Sequence, residues 1–189
     1  MRDGEGPVLI GIAGFSNAGK TLFAEALVRE AAERGLRVAY LKHDGHADEA
    51  PDDWEKPDAD TARAARAGAT VTMVASRQGF LLRSRQAGDF PQWLAAIRAV
   101  ADVDVVVAEG GKRAAHAKIA VVRGAADFHR LLEAGARGIA AVVSHDDGPG
   151  RFPVPAFRPE QAADVLTWWL DAWRVGTLAS GHRVDGAKG

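Results

Sequence analysis

Gly14-Phe15-Ser16-Asn17-Ala18-Gly19-Lys20-Thr21 fits the phosphate-loop pattern G-x-x-x-x-G-K-[ST] at every fixed position. The two fixed glycines let the backbone wrap an anion, so that successive amides and the start of the following helix face nucleotide phosphates. In that arrangement Lys20 reaches the β and γ phosphates, and Thr21 gives its hydroxyl to a phosphate-bound magnesium ion. The flanks agree. Val8–Ala13 is a short apolar, β-branched run suited to a central parallel strand. Leu22, Phe23, Ala26, Leu27 and Ala31 recur at helical spacing before Gly35, a natural stop. The phosphate-binding set is therefore Gly14, Ser16, Asn17, Ala18, Gly19, Lys20, Thr21 and Leu22, on an α/β phosphate-loop NTPase-type sandwich of three layers.

The rest of the chain supplies a mostly parallel sheet. Arg37–Leu41 reads as a second strand, next to the phosphate loop and parallel to the first. At its end stand Lys42, His43, Asp44 and His46, at the carboxyl edge where open parallel sheets bind ligands. They are either contacts to phosphate, metal or partner, or a solvated polar turn. The acidic segment Ala47–Asp60, with Pro51 and Pro57, reads as a mobile loop or lid before a short helix over Thr61–Ala67. Asp60 either caps that helix or points back to the nucleotide. Ala69–Ser76 and Gly79–Arg83 predict an antiparallel hairpin turning at Arg77-Gln78.

Phe90, Trp93, Leu94, Ile97 and Val100 share one face of a predicted helix over Phe90–Ala101. Asp104–Ala108 follows as a buried strand and runs into Glu109-Gly110-Gly111-Lys112. An acid at the tip of an apolar strand is what phosphate-loop proteins use to hold magnesium, so Glu109 joins Thr21 as a candidate metal residue and Lys20 as a candidate catalytic one. The extra methylene of Glu over Asp favours a water-mediated contact or activation of a water. Lys118–Arg123, a helix over Ala125–Ala136 with Phe128, Leu131 and Leu132 apolar, and Ile139–Val143 come next. That last strand ends in Ser144-His145-Asp146-Asp147, where a base or ribose is read in such sheets. Val154–Phe157 is a short strand, and Pro159 fits the first turn of a closing helix to Trp173. Residues 1–175 are expected to form one domain, and 176–189 a flexible tail.

Composition narrows the function. A net charge of −1 provides no general basic field for nucleic acid. No apolar run approaches the roughly 20 residues of a membrane span, and Met1–Pro7 is short and polar rather than a signal peptide, so no membrane partner is expected. The absence of cysteine excludes disulfides and thiolate metal sites and suits a cytoplasmic protein.

The sequence resembles the molybdopterin-guanine dinucleotide biosynthesis protein B family, MobB, over nearly all of Val8–Trp173. The likeness rests on the phosphate loop, Lys42-His43 with His46, and Lys56-Pro57 followed by Asp60-Thr61, Arg63 and Ala67-Gly68-Ala69. It continues through Val74-Ala75-Ser76, Glu109-Gly110 with Lys112, Lys118-Ile119 to Arg123, and Ser144 to Asp146. Asn17-Ala18 replace the Gly-Ser or Gly-Thr common before the second fixed glycine, and His145 splits the usual Ser-Asp pair.

The resemblance implies a homodimeric GTP-binding protein with slow, magnesium-dependent GTPase activity. Such a protein helps the partner enzyme MobA attach GMP to molybdopterin, itself a further candidate ligand. Lys42, His43, His46, Asp60, Gly110, Lys112, Ser144 and Asp146 complete the implied nucleotide site. Asn17 is the only asparagine, so no Asn-Lys-x-Asp motif reads guanine, and that preference comes from the resemblance alone. Two other readings use the same loop. One is a small-molecule kinase recruiting Asp60, Arg63 and Arg66. The other is a GTP-dependent metallochaperone using His43, His46 and His116.

Overall fold

The computed structural model describes residues 6–43, 56–86, 88–146 and 151–178. In chain order the elements are β1 (Val8–Ala13), α1 (Lys20–Glu33), β2 (Val38–His43), α2 (Asp60–Arg66), β3 (Val71–Ser76), β4 (Gly79–Ser84), α3 (Phe90–Val100), β5 (Val105–Gly110), β6 (Lys118–Val122), α4 (Ala125–Glu133), β7 (Ile139–Ser144), β8 (Ala156–Phe157) and α5 (Ala162–Arg174). They fall into two compact units, residues 1–45 with 94–189, and residues 46–93. No helix among the described residues is long and apolar enough to cross a membrane.

The larger unit is built on a six-stranded sheet in the order β2-β5-β1-β6-β7-β8. Every pairing in it is parallel. β1 is central, and the chain leaves it toward opposite edges of the sheet, which makes its carboxyl end the topological switch point. β2 is not the neighbour of β1 that the sequence suggested. β5 lies between them, pairing Ile12 with Glu109 on one side and Lys42 with Glu109 on the other. The apolar run Val105–Ala108, all buried, satisfies both ladders from inside, whereas β2 with its exposed Tyr40 takes the edge.

Alternate residues of the strands feed two cores. Ile10, Ile12, Val105, Val107, Ile119, Val121 and Val143 pack with Phe23 and Leu27 of α1 and with Val165, Leu166 and Trp169 of α5. Ala120, Val122 and Val142 face the other way, against Phe128 and Leu131 of α4 and Phe152. Helices thus cover both faces, the three-layer arrangement expected. Trp169 is fully buried, and its indole Nε1 donates to the Leu9 carbonyl at 3.0 Å, so α5 is tied to β1 by a hydrogen bond as well as by packing. Burial of each large side chain of this set contributes about 2 kcal/mol.

Several local expectations are corrected. α5 begins at Ala162, not at Pro159, because the Gln161 side chain accepts the Arg158 amide at 2.9 Å and closes a turn across Pro159-Glu160. Leu132 is 40% exposed, so α4 buries Phe128 and Leu131 without it. Leu178, within the stretch expected to be a tail, is buried in the first core. α3 has the predicted apolar spacing but buries no residue fully. Asp60 is the first helical residue of α2, after Ala59, and pairs with Arg63 at 3.4 Å instead of serving as its cap.

In the smaller unit, β3 and β4 form the predicted antiparallel hairpin, with Ser76 opposite Gly79 across the two-residue turn. Arg83 donates to the Thr61 carbonyl at 3.2 Å and Arg85 to the Ala65 carbonyl at 2.9 Å, which fastens the hairpin to α2. One face of the hairpin carries Val71, Met73, Phe80 and Leu82, all exposed.

The passage from β5 to β6 crosses β1 at Gly11, where an added Cβ would lie 2.6 Å from Lys118 Cγ and 2.7 Å from the Ala117 carbonyl oxygen. Lys118 is completely buried there. Its ammonium donates to the carbonyls of Ala114, His116 (2.8 Å) and Arg137 (3.0 Å), so all three of its protons are used. Burial pushes this ammonium down to about 8. His116, also buried, is pushed down to about 4 by burial and then by the neighbouring Lys118 charge.

Two outcomes follow from this crossing. Lys118→Met leaves three carbonyls without their donor and should lower the unfolding free energy by about 3 kcal/mol in urea melts, with the denaturant slope unchanged. Acidification should act through His116. The unfolded chain takes up its proton near 6.5 and the folded chain only near 4. Stability is therefore lost as pH falls through that window, by up to about 3 kcal/mol. Melts at pH 7 and pH 4.5 should differ by less in His116→Gln than in the parent.

Candidate functional site

β1 delivers the phosphate loop to the switch point, and close contacts explain its fixed residues. A Cβ on Gly14 would lie 2.4 Å from the Val121 carbonyl oxygen of β6. Gly19, at φ +86°, has the His145 ring 3.0 Å from where its Cβ would stand. Asn17 takes the left-handed conformation at φ 59°, which asparagine tolerates better than most residues. The Ala18 amide donates to the Phe15 carbonyl at 3.3 Å, and the Lys20 ammonium donates to the same carbonyl at 2.9 Å. Lys20 therefore bends back over the loop. α1 starts without a side-chain cap and without acidic residues in its first turn, leaving the positive end of the helix dipole uncompensated by its own side chains. Ser16, Asn17 and Leu22 are exposed beside it.

Glu109 faces this loop from β5, buried to 5% exposure. The Thr21 hydroxyl lies 3.1 Å from each of its carboxylate oxygens, and the Tyr40 phenol donates to Oε2 at 2.6 Å. Partial burial, and after it the bond to Glu109, hold the Tyr40 phenol well above the ordinary range. Lys42 and His43 are the last two residues of β2, opposite Glu109 and Gly110. They border the acid and stand one strand away from the loop itself. Lys112 comes to the loop from the other side, with its ammonium 5.9 Å from the Phe15 ring centroid, and Arg130 lies over the same ring at 5.0 Å.

At the end of β7, Ser144 is fully buried and its hydroxyl donates to the Arg123 carbonyl at 3.1 Å. The exposed residues here are His145 and Asp146. His145 Nε2 lies 3.3 Å from the Ala18 carbonyl oxygen, so the residue that splits the Ser-Asp pair touches the phosphate loop. Its own carbonyl accepts Arg158 at 2.5 Å. His46 lies outside the described residues, and Asp60 belongs to the smaller unit. Among the described residues, no three His, Cys, Asp or Glu come together as metal ligands. His116 is committed to the crossing over Gly11.

The family model for molybdopterin guanine dinucleotide synthesis protein B matches residues 9–145. The chain belongs to the MobB family. A probable molybdopterin-guanine dinucleotide biosynthesis adapter protein of Bacillus subtilis is 32% identical over 123 residues, which are 65% of this chain and 69% of the relative. The Escherichia coli adapter protein is 32% identical over 128 residues, covering 66% and 70%. Among solved structures, a crystal structure of Bacillus subtilis MobB superposes with a TM-score of 0.67 at 26% identity, covering 85% of this chain and 96% of that one. A MobB homolog from Bacillus stearothermophilus gives 0.64 at 23%, covering 88% and 98%.

Within this MobB-family fold, the structure brings together the loop, Thr21, Glu109, Lys42, His43 and Gly110 at one end of β1, β5 and β2. Lys112 and the exposed end of β7 flank the loop. Tyr40 is the participant that sequence reasoning missed. A lone aromatic on a strand reads as packing, and its reach to Glu109 depends on a strand order that local patterns do not carry.

Proposed function

We propose that this chain is a GTP-binding adapter with slow GTPase activity, which assists a MobA-type guanylyltransferase in attaching GMP to molybdopterin. The observation that carries the reading is the Thr21 hydroxyl bonded to the Glu109 carboxylate, which joins a complete phosphate loop to a buried acid at the switch point. The adapter names of the curated relatives supply the biosynthetic setting, and the guanine preference is carried by the family resemblance.

Thr21 and Glu109 are hard oxygen donors and fit magnesium, which takes one or two protein oxygens and keeps waters and phosphate oxygens for the rest. Magnesium at this site would neutralise charge on the triphosphate and orient a water. The loop and the amino end of α1 bind the phosphates, Lys20 turns from the Phe15 carbonyl to them, and Glu109 orients the Thr21 hydroxyl. Lys42, His43 and Lys112 add positive or hydrogen-bonding groups at the rim, and Asp146 with His145 lines the side of the base or ribose. Molybdopterin, an anionic pterin, is the further ligand this rim suits. The larger unit carries the nucleotide site in this reading.

Lys20→Ala should weaken GTP binding by about a hundredfold or more, because a charge-assisted contact to phosphate is lost, while the melting temperature without nucleotide stays put. Titrations of GTP, ATP and CTP in magnesium should rank GTP first. Unchanged GTP affinity in the variant would remove the loop from the site, and equal affinity for the three nucleotides would remove the guanine preference.

The working form is a homodimer joined through the hairpin. Val71, Met73, Phe80 and Leu82 each keep between 43% and 51% of their surface exposed on one hairpin face, an apolar stripe that suits a second copy of itself. Phe80→Glu should convert a dimer to a monomer in sedimentation equilibrium. A parent that sediments as a monomer at micromolar concentration would rule the dimer out.

A further inference from the structure

Thr21 by itself does not decide how Glu109 presents its carboxylate. Its hydroxyl lies 3.1 Å from Oε1 and 3.1 Å from Oε2, a shared donation that leaves the two oxygens equivalent. Tyr40 breaks the tie, since its phenol bonds to Oε2 alone, at 2.6 Å. The ring reaches there because β2 is an edge strand in parallel register with β5, so that Tyr40, two residues before the partner of Glu109, lies alongside that acid's strand. The carboxylate is buried and the phenol is 43% exposed, so one polar group of a half-exposed side chain is spent on a buried acid.

Resting on the magnesium–GTP reading above, we propose that Tyr40 is a positioning residue for the metal site. It holds Oε2 of Glu109 and leaves Oε1 as the oxygen available to the ion or its waters. In this role the phenol donates its proton to Oε2. A side chain that only covered the sheet edge would affect the folded state as a whole. A side chain that orients Glu109 acts only where magnesium does.

The chain has one tyrosine, so [13Cζ]tyrosine gives a single resonance that reports this phenol alone. In the full chain that resonance should shift in Glu109→Gln, and in the parent on adding GTP with magnesium but not GTP with EDTA. Tyr40→Phe should raise the magnesium concentration needed for half-maximal GTP binding by roughly tenfold, the low end for one lost hydrogen bond to a charged group. Its GTP affinity in EDTA should match the parent. A magnesium requirement equal to the parent's, an equal loss with and without magnesium, or a tyrosine resonance blind to Glu109→Gln would each overturn the assignment. Lys20→Ala separates this from failure of the underlying reading. Loss of GTP binding in Lys20→Ala together with a parent-like Tyr40→Phe counts against Tyr40 alone, whereas full GTP binding in Lys20→Ala counts against the phosphate loop.

Discussion

A lysine that gives its three protons to three backbone carbonyls sets the path from β5 to β6. Lys118 is fully buried with no carboxylate among its hydrogen-bond partners, and its charge is met by the carbonyl dipoles of Ala114, His116 and Arg137. A buried cation is tolerable only when its hydrogen bonds are made, and here they also stitch the crossing segment to the turn before β7. β6 can then lie against β1 over Gly11, and the Val121 carbonyl comes up under Gly14. Lys112, carried by the same crossing, arrives beside Phe15. The shape of the phosphate loop and the position of one of its flanking cations are thus set from beneath by a residue that never meets solvent.

Around the loop, several strands contribute from or near their carboxyl halves. β5 supplies the acid, β2 the phenol that orients it with Lys42 and His43 beyond, and β7 a histidine against Ala18. Because β5 separates β2 from β1, the residues on β2 reach the site through Glu109 and do not face the loop directly. This makes β5 the element through which events at the edge strand are felt at Thr21.

How much was legible in the sequence follows from the range of the interactions. The Gly14–Thr21 pattern is eight consecutive residues with local backbone demands, and the strand-to-helix turn it predicts between β1 and α1 is found. So are the apolar strands β1, β5, β6 and β7 and the two-residue hairpin turn, whose patterns repeat within a few positions. Strand order is a long-range property, and nothing in Arg37–Leu41 announces that β5 will come between it and β1. Pro159 misled because a side-chain bond from Gln161 to the Arg158 amide outweighed its preference for a first helical turn. Leu178 was hidden because the Gly- and polar-rich stretch around it shows no helical or strand periodicity. Lys118 read only as the first residue of a strand, since its partners lie in turns that no periodicity reveals, and Tyr40 read only as a residue of a strand for the same reason.

Translation delivers β1 long before it delivers either neighbour. Val8 pairs with Val105 and Gly11 with Lys118, so the ribosome has made more than half of the chain before the central strand can bond on even one edge. β2, among the described residues the one strand of the large sheet made in the meantime, pairs with β5 and not with β1. The nascent amino-terminal segment therefore carries Ile10, Ile12, Phe23 and Leu27 with no sheet to receive them, while the hairpin, made of local pairs, is free to form at once. High contact order around β1 thus delays the packing of the amino-terminal segment until the second half of the chain has been made.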